Sequence, residues 1–273
     1  LDGVTVKAGN ADGAATDGQG AGVYAFNSNL TLVNVTLSDN ISLTSGGGLY
    51  AGEKSLITMD NSTMTMNQSD FGGGAFVADT SNMVITGSGV GLNIAISRGG
   101  GIGLQSGCNL TADDCVFDQN LSRQGGAISF FKTSAGTLTN ITFSNNSADV
   151  EGGAVYMRED ASQYFSNCTF EFNTAIFRGG AAIMNIGAAP VMEDCVFEKN
   201  ESESGGAVYI APGANPTIRN STMSFNEAAE RGGAIYFFNG GTGTIENVLF
   251  ETNTSQRGGA INVFNSIPTI VSS

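Results

Sequence analysis

Phe117-Asp118-Gln119-Asn120-Leu121-Ser122-Arg123-Gln124-Gly125-Gly126-Ala127-Ile128 contains two short strings that recur along the chain, and their recurrence decides the fold. The first is Gly-Gly-Ala followed by an aliphatic residue. Clear copies begin at Gly125, Gly152, Gly205, Gly232 and Gly258, and looser ones at Gly20, Gly46, Gly73, Gly99 and Gly179. Successive starts lie 26 or 27 residues apart. The second string, a large apolar residue followed three positions later by Asn, lies just upstream. It reads Phe117/Asn120, Phe143/Asn146, Phe170/Asn173, Phe197/Asn200 and Phe250/Asn253, with weaker versions at Met223/Asn226, Leu37/Asn40, Met64/Asn67 and Val90/Asn93. Two strings locked in phase over nine periods define an internal repeat.

Within each period the residues alternate as in half-buried strands. Leu32, Met59, Ile85, Leu138, Phe165, Ile218 and Ile245 form an apolar column, commonly preceded by Thr and followed by a polar residue. A bend at Asn34, Asn61, Asp114, Asn140, Asn167, Asp194, Asn220 and Asn247 comes next. After the double glycine, Ile102, Ile128, Val155, Val208, Ile235 and Ile261 form a second apolar column. Repeats of this length built only from short strands predict a parallel β-helix. The reading is an all-β, right-handed solenoid of about ten coils, one domain over 1–273, because parallel crossovers favour that hand. At about 4.8 Å per coil the rod would be about 50 Å long. The first coil carries an insertion from Ala11 to Asp17.

Composition agrees with this reading. Of 273 residues, 39 are Gly and only 13% are charged, which removes the residues that coat helices. With no His, histidine-dependent catalysis and His-ligated metals are excluded. A net charge of −14 disfavours nucleic acid and anionic membranes as partners, and no apolar run is long enough for a transmembrane helix. The chain opens at Leu1-Asp2-Gly3 without a basic stretch or an apolar h-region, so any export signal lies outside this sequence.

The repeated residues read first as scaffold. Phe117, Phe143, Phe170, Phe197 and Phe250 should stack as an interior aromatic ladder. Asn120, Asn146, Asn173, Asn200, Asn226 and Asn253 should bond amide to amide from coil to coil. The paired strings resemble the repeats in the passenger domains of chlamydial polymorphic outer membrane proteins, and those of other secreted right-handed β-helix proteins of the pectate-lyase-like superfamily. The resemblance runs over essentially the whole chain. It implies an extracellular or cell-surface adhesin or self-associating fibre, and it does not imply an enzyme. The first four coils carry degenerate strings, and no autotransporter barrel follows Ser273.

Several residues stand out from the scaffold. Cys115, Cys168 and Cys195 share one apolar column, and Cys168 and Cys195 fall in adjacent coils, so the alternatives are a disulfide or buried thiols. Cys108 has no evident partner, and without CxxC no zinc site is expected. Sequons are abundant. Those at the Asn bends are expected to face inward, leaving Asn29, Asn109 and Asn145 as the preferred glycan acceptors. Outward positions after the double glycine hold Tyr24, Tyr50, Tyr156, Tyr209 and Tyr236, and beside them Phe26, Phe131, Phe238 and Phe264. These are expected to form an exposed aromatic contact strip for lateral packing or sugar stacking. The charged column Arg98, Glu151, Arg178, Arg231 and Arg257 reads as a solvated ladder.

A lyase or hydrolase would need clustered carboxylates. Asp113/Asp114 and Glu193/Asp194 are the suggestive pairs, and they should lie three coils apart. No catalytic residue, metal or cofactor is assigned. The two ends fall at nearly the same phase of a coil and show no polar cap, which suggests a piece of a longer solenoid or a filament subunit. The expected function is a non-enzymatic extracellular structural protein that associates with itself. A monomeric adhesin or glycan-binding module is the alternative.

Overall fold

The computed structural model describes residues 1–13, 15–105 and 107–272. They form a β-solenoid with four parallel sheets of ten strands each, every coil contributing one strand to every sheet. One coil shows the pattern. Val116–Asp118 lies in sheet 1, Leu121–Gln124 in sheet 2, Ile128–Phe131 in sheet 3 and Ala135–Thr139 in sheet 4. The helical content among the described residues is one 3-10 turn, Ala15–Gly18, inside the insertion of the first coil.

Register follows the sequence columns. In sheet 4, Ile85 pairs with Ala112, Ala112 with Leu138 and Leu138 with Phe165. In sheet 1, Phe117 pairs with Phe143, Phe143 with Phe170 and Phe170 with Phe197. Their rings stack with centroids 5.2, 4.7 and 4.8 Å apart. Phe117, Phe143, Phe170 and Phe197 are fully buried, while Phe250 is partly buried against the same core.

The buried amides form a continuous chain. Nδ2 of Asn120 donates to Oδ1 of Asn146 at 3.0 Å, Asn146 to Asn173 at 3.0 Å, and Asn173 to Asn200 at 3.0 Å. It continues through Asn226 to Asn253, both at 2.9 Å. Each Nδ2 also donates to the backbone carbonyl one coil back, as Asn173 does to Phe143 O at 2.9 Å. The corner between sheets 1 and 2 thus satisfies its backbone groups without water.

The double glycine has two separate causes. Gly152 takes φ 66°, a left-handed conformation that costs a side-chain-bearing residue energy. Gly153 has ordinary φ, but a Cβ there would collide with Gly180 O and Thr174 O in the next coil. In the third coil the left-handed glycine is Gly72, one residue before the string match at Gly73.

The bend asparagines correct one expectation. Asn34, Asn61, Asn140, Asn167, Asn220 and Asn247 all have positive φ and are exposed. Asn tolerates this conformation better than most residues, so these columns are conformational and do not face inward. Asn167 still donates to Asn140 Oδ1 at 3.2 Å, and Asn247 to Asn220 Oδ1 at 3.0 Å, along the surface.

Candidate functional site

The aromatic strip lies on the outer side of sheet 3, as the alternation implies, but much of it is covered. Tyr50, Tyr156, Tyr209 and Tyr236 are buried, Phe131 and Phe238 are half-buried, and Tyr24, Phe26 and Phe264 are exposed. The contact strip predicted from the sequence is therefore not a continuous exposed surface. The physical reason is the glycine corner, which folds sheet 2 back toward sheet 3. A Cβ on Gly125 would stand 3.0 Å from Tyr156 Cβ, and one on Gly232 would stand 3.0 Å from Tyr236 Cβ. The tyrosines fill this re-entrant angle, where Tyr156, Ile183, Tyr209, Ala211 and Tyr236 form a second apolar cluster outside the coil.

The charged column forms the opposite wall. Arg98 Nε donates to Gln124 Oε1 at 3.2 Å, Gln124 Nε2 donates to Glu151 Oε2 at 3.1 Å, and Arg178 Nη1 reaches Glu151 Oε1 at 2.7 Å. Glu151 is buried, so this column is more enclosed than the solvated ladder expected from the sequence. Gln124, which links Arg98 to Glu151, completes the column. Its place in the repeat before the glycines could have revealed it. Arg98 lies 4.3 Å from the Phe131 ring centroid and Arg178 lies 5.4 Å from that of Tyr209, both within cation–π range. Burial pushes the Tyr209 phenol up to about 12, so it remains a neutral donor near neutral pH.

Between the walls, around Tyr209, Tyr236 and Phe238, lies a cleft of about 240 Å³. Arg178, Arg231 and Glu203 rim it together with Phe177, which is 47% exposed. The cleft combines aromatic carbon, guanidinium donors and carboxylate acceptors. Such a surface can hold a polar ligand by hydrogen bonding and ring contact.

The remaining candidates lie elsewhere. All four cysteines are free and buried. Cys168 Sγ faces Leu138 O and Ser166 O at 3.4 Å, and Cys195 Sγ faces Glu193 O at 3.2 Å. Cys168 and Cys195 thus occupy their column as thiols, without a bond between them. Burial pushes the Cys108 thiol up to about 11, disfavouring the thiolate. Asn29 and Asn145 are exposed and Asn109 is half-buried. The exposed bend sequons at Asn34, Asn61, Asn140, Asn167 and Asn220 are as accessible as these three.

The acidic pairs do not converge. Asp113 is in register with Thr139, Thr139 with Ser166 and Ser166 with Glu193. Three coils correspond to about 14 Å, beyond the reach of paired glycosidase carboxylates. Glu193 is also engaged, accepting from Arg219 Nη2 at 2.8 Å and Tyr164 Oη at 2.9 Å. The Arg219 hydrogen bond is the main cause that holds its carboxyl below the usual range. Among the described residues no group of three or more Cys, Asp or Glu could hold a metal ion.

The coils, their single axis and their parallel register define a class, the β-solenoids. The family profile described as a right-handed β-helix region matches residues 4–155, 88–228 and 153–273, and the chain belongs to that family. It is 33% identical over 128 residues to metabotropic glutamate receptor-like protein R of Dictyostelium discoideum. That match takes in 46% of this chain and 8% of the relative's length. Among solved structures, a TibC-catalysed hyper-glycosylated TibA fragment aligns over 99% of this chain and 100% of its own, at 13% identity and a TM-score of 0.17.

Proposed function

We propose that the chain is a non-enzymatic, extracellular binding module, a rigid rod that presents the cleft between sheets 2 and 3 to a glycan. The observation that carries this reading is the cleft itself, where guanidinium, carboxylate and aromatic groups converge at one place on a repetitive surface. A sugar offers hydroxyls to Arg231 and Glu203 and a CH face to Phe177 and Phe238. The repeats' likeness to chlamydial polymorphic outer membrane proteins supports surface display, as does the receptor-like relative. The separation of the acidic pairs supports a role without catalysis.

A glycan array probed with the native chain and with the Phe177→Ala/Arg231→Ala variant tests this reading. Retention of a defined glycan set by the native chain and its loss in the variant, at unchanged thermal midpoint, is the expected result. No retention, or equal retention by both, would overturn it.

A second reading is lateral packing into a fibre. It is favoured by the outer face of sheet 2, where Ile94 and Leu121 pair in register and are 39% and 37% exposed beside Ile96 at 69%, while Ile41 and Leu43 stand 49% and 58% exposed two coils away, beyond Gln68. Electron microscopy would show filaments that Leu43→Glu/Ile96→Glu disperses. Single rods in both samples would exclude it.

A further inference from the structure

At the corner between sheets 1 and 2, the residue before each ladder asparagine has positive φ. Asp39 and Asn145 hold this position in two coils, and both side chains tolerate it. Phe172 and Phe225 hold it in two others, at φ 54° and 55°. A bulky residue there is a genuine outlier. Neither ring recovers the cost by burial, since Phe172 is 46% and Phe225 49% exposed. Met66 and Leu92 hold the same left-handed, exposed position in two earlier coils, so what sets Phe172 and Phe225 apart is a pair of open aromatic faces two coils apart.

The coil between them shows what such a pair of rings can hold. Lys199 occupies the same corner at φ 53°. Its Nζ lies 5.0 Å from the Phe172 ring centroid and 6.0 Å from that of Phe225, within cation–π range. Carboxylates flank the ridge on both sides. In sheet 1, Glu171 pairs in register with Glu198, and in sheet 2 Glu201 pairs with Glu227. Glu198 is neutralised by Lys199 at 2.6 Å. Glu171, Glu201 and Glu227 make no ion pair among the described residues.

We infer that this ridge docks a lysine- or arginine-rich extended segment of a partner protein. Such a segment laid along the rod projects like-facing side chains every ~6.8 Å. Its cationic heads meet the rings and the carboxylate rows, and its aliphatic stems cover the phenyl faces. The chain's net charge of −14 draws such a segment in. Lys199 acts as an internal competitor, holding the site between the rings until a partner cation displaces it.

Fluorescence anisotropy with a labelled twelve-residue peptide of alternating Lys and Ser, titrated with the intact chain, tests the proposal. Phe172→Asn/Phe225→Asn should weaken binding at least tenfold while raising the thermal midpoint, because Asn relieves the strain. Glu201→Gln/Glu227→Gln should weaken it to a similar extent. Lys199→Gln should tighten binding several-fold more than the control Lys54→Gln, which removes the same charge elsewhere. Binding unchanged in the Phe variant would overturn the proposal. So would an equal loss from Asp60→Asn/Asp113→Asn, which would mean attraction to the whole acidic surface, or peptide-insensitive dimers in sedimentation.

Discussion

Replacing Asn173 by Ala removes a central rung of the buried amide ladder, and the structure specifies what is lost. Asn173 Oδ1 accepts from the Asn146 backbone N–H at 3.0 Å and from Asn146 Nδ2 at 3.0 Å. Its Nδ2 donates to Phe143 O at 2.9 Å and to Asn200 Oδ1 at 3.0 Å. After truncation the two Asn146 donors and the Phe143 carbonyl lose these partners, in an interior where Asn146 and Asn173 are 0% exposed. Asn200 Oδ1 keeps one donor, the Asn173 backbone N–H at 3.1 Å. At about 1–3 kcal/mol for each of three stranded groups, the expected loss is about 3–9 kcal/mol. Asn253→Ala is the internal comparison. That residue is only partly buried, water can replace its amide, and the expected loss is about 1 kcal/mol. Urea unfolding followed by circular dichroism measures both. Because repeat arrays can unfold coil by coil, native-state hydrogen exchange at Phe143 and Asn146 supplies the local value. Equal losses for Asn173→Ala and Asn253→Ala, or a loss below about 0.5 kcal/mol at Asn173, would refute the reasoning that enclosure makes these amides costly to remove.

Phe170→Ala should cost about 3–5 kcal/mol, because its ring is stacked and wholly buried, whereas half-buried Phe250→Ala should cost clearly less; parallel urea titrations compare them. Gly153→Ala should lower the thermal midpoint by several degrees although its φ is ordinary, because the methyl meets the Gly180 carbonyl; an unchanged midpoint would remove the packing explanation for the second glycine. Alkali should destabilise the rod between about pH 10 and pH 12. Burial raises Tyr50 and Tyr209 from 10.0 to about 12, so the unfolded chain loses these phenolic protons first and stability falls as pH rises through that window. Tyr209→Phe should make the fall shallower in pH-dependent thermal melts.

The columns were legible in the sequence because a solenoid places each residue type in the same surroundings once per coil. The period of 26 or 27 residues therefore carries the axis, the ladders and the strand register together. Phe143 over Phe170 and Asn146 over Asn173 needed nothing further. Alternation also indicated which side of sheet 3 holds Tyr156, Tyr209 and Tyr236.

Whether those tyrosines meet solvent depended on the angle at which sheet 2 turns back at the glycines. That angle comes from backbone geometry at Gly152 and Gly153 and has no local pattern of its own. The same limit separated the two kinds of asparagine. Asn140 at the bend and Asn146 in the ladder are chemically identical, and their fates diverge because one backbone is left-handed and exposed while the other carries its amide into the coil. Repetition determined what stacks on what. Only the folding of one sheet against the next decided what remained open to a partner, because exposure belongs to the whole cross-section of the rod and not to any one strand.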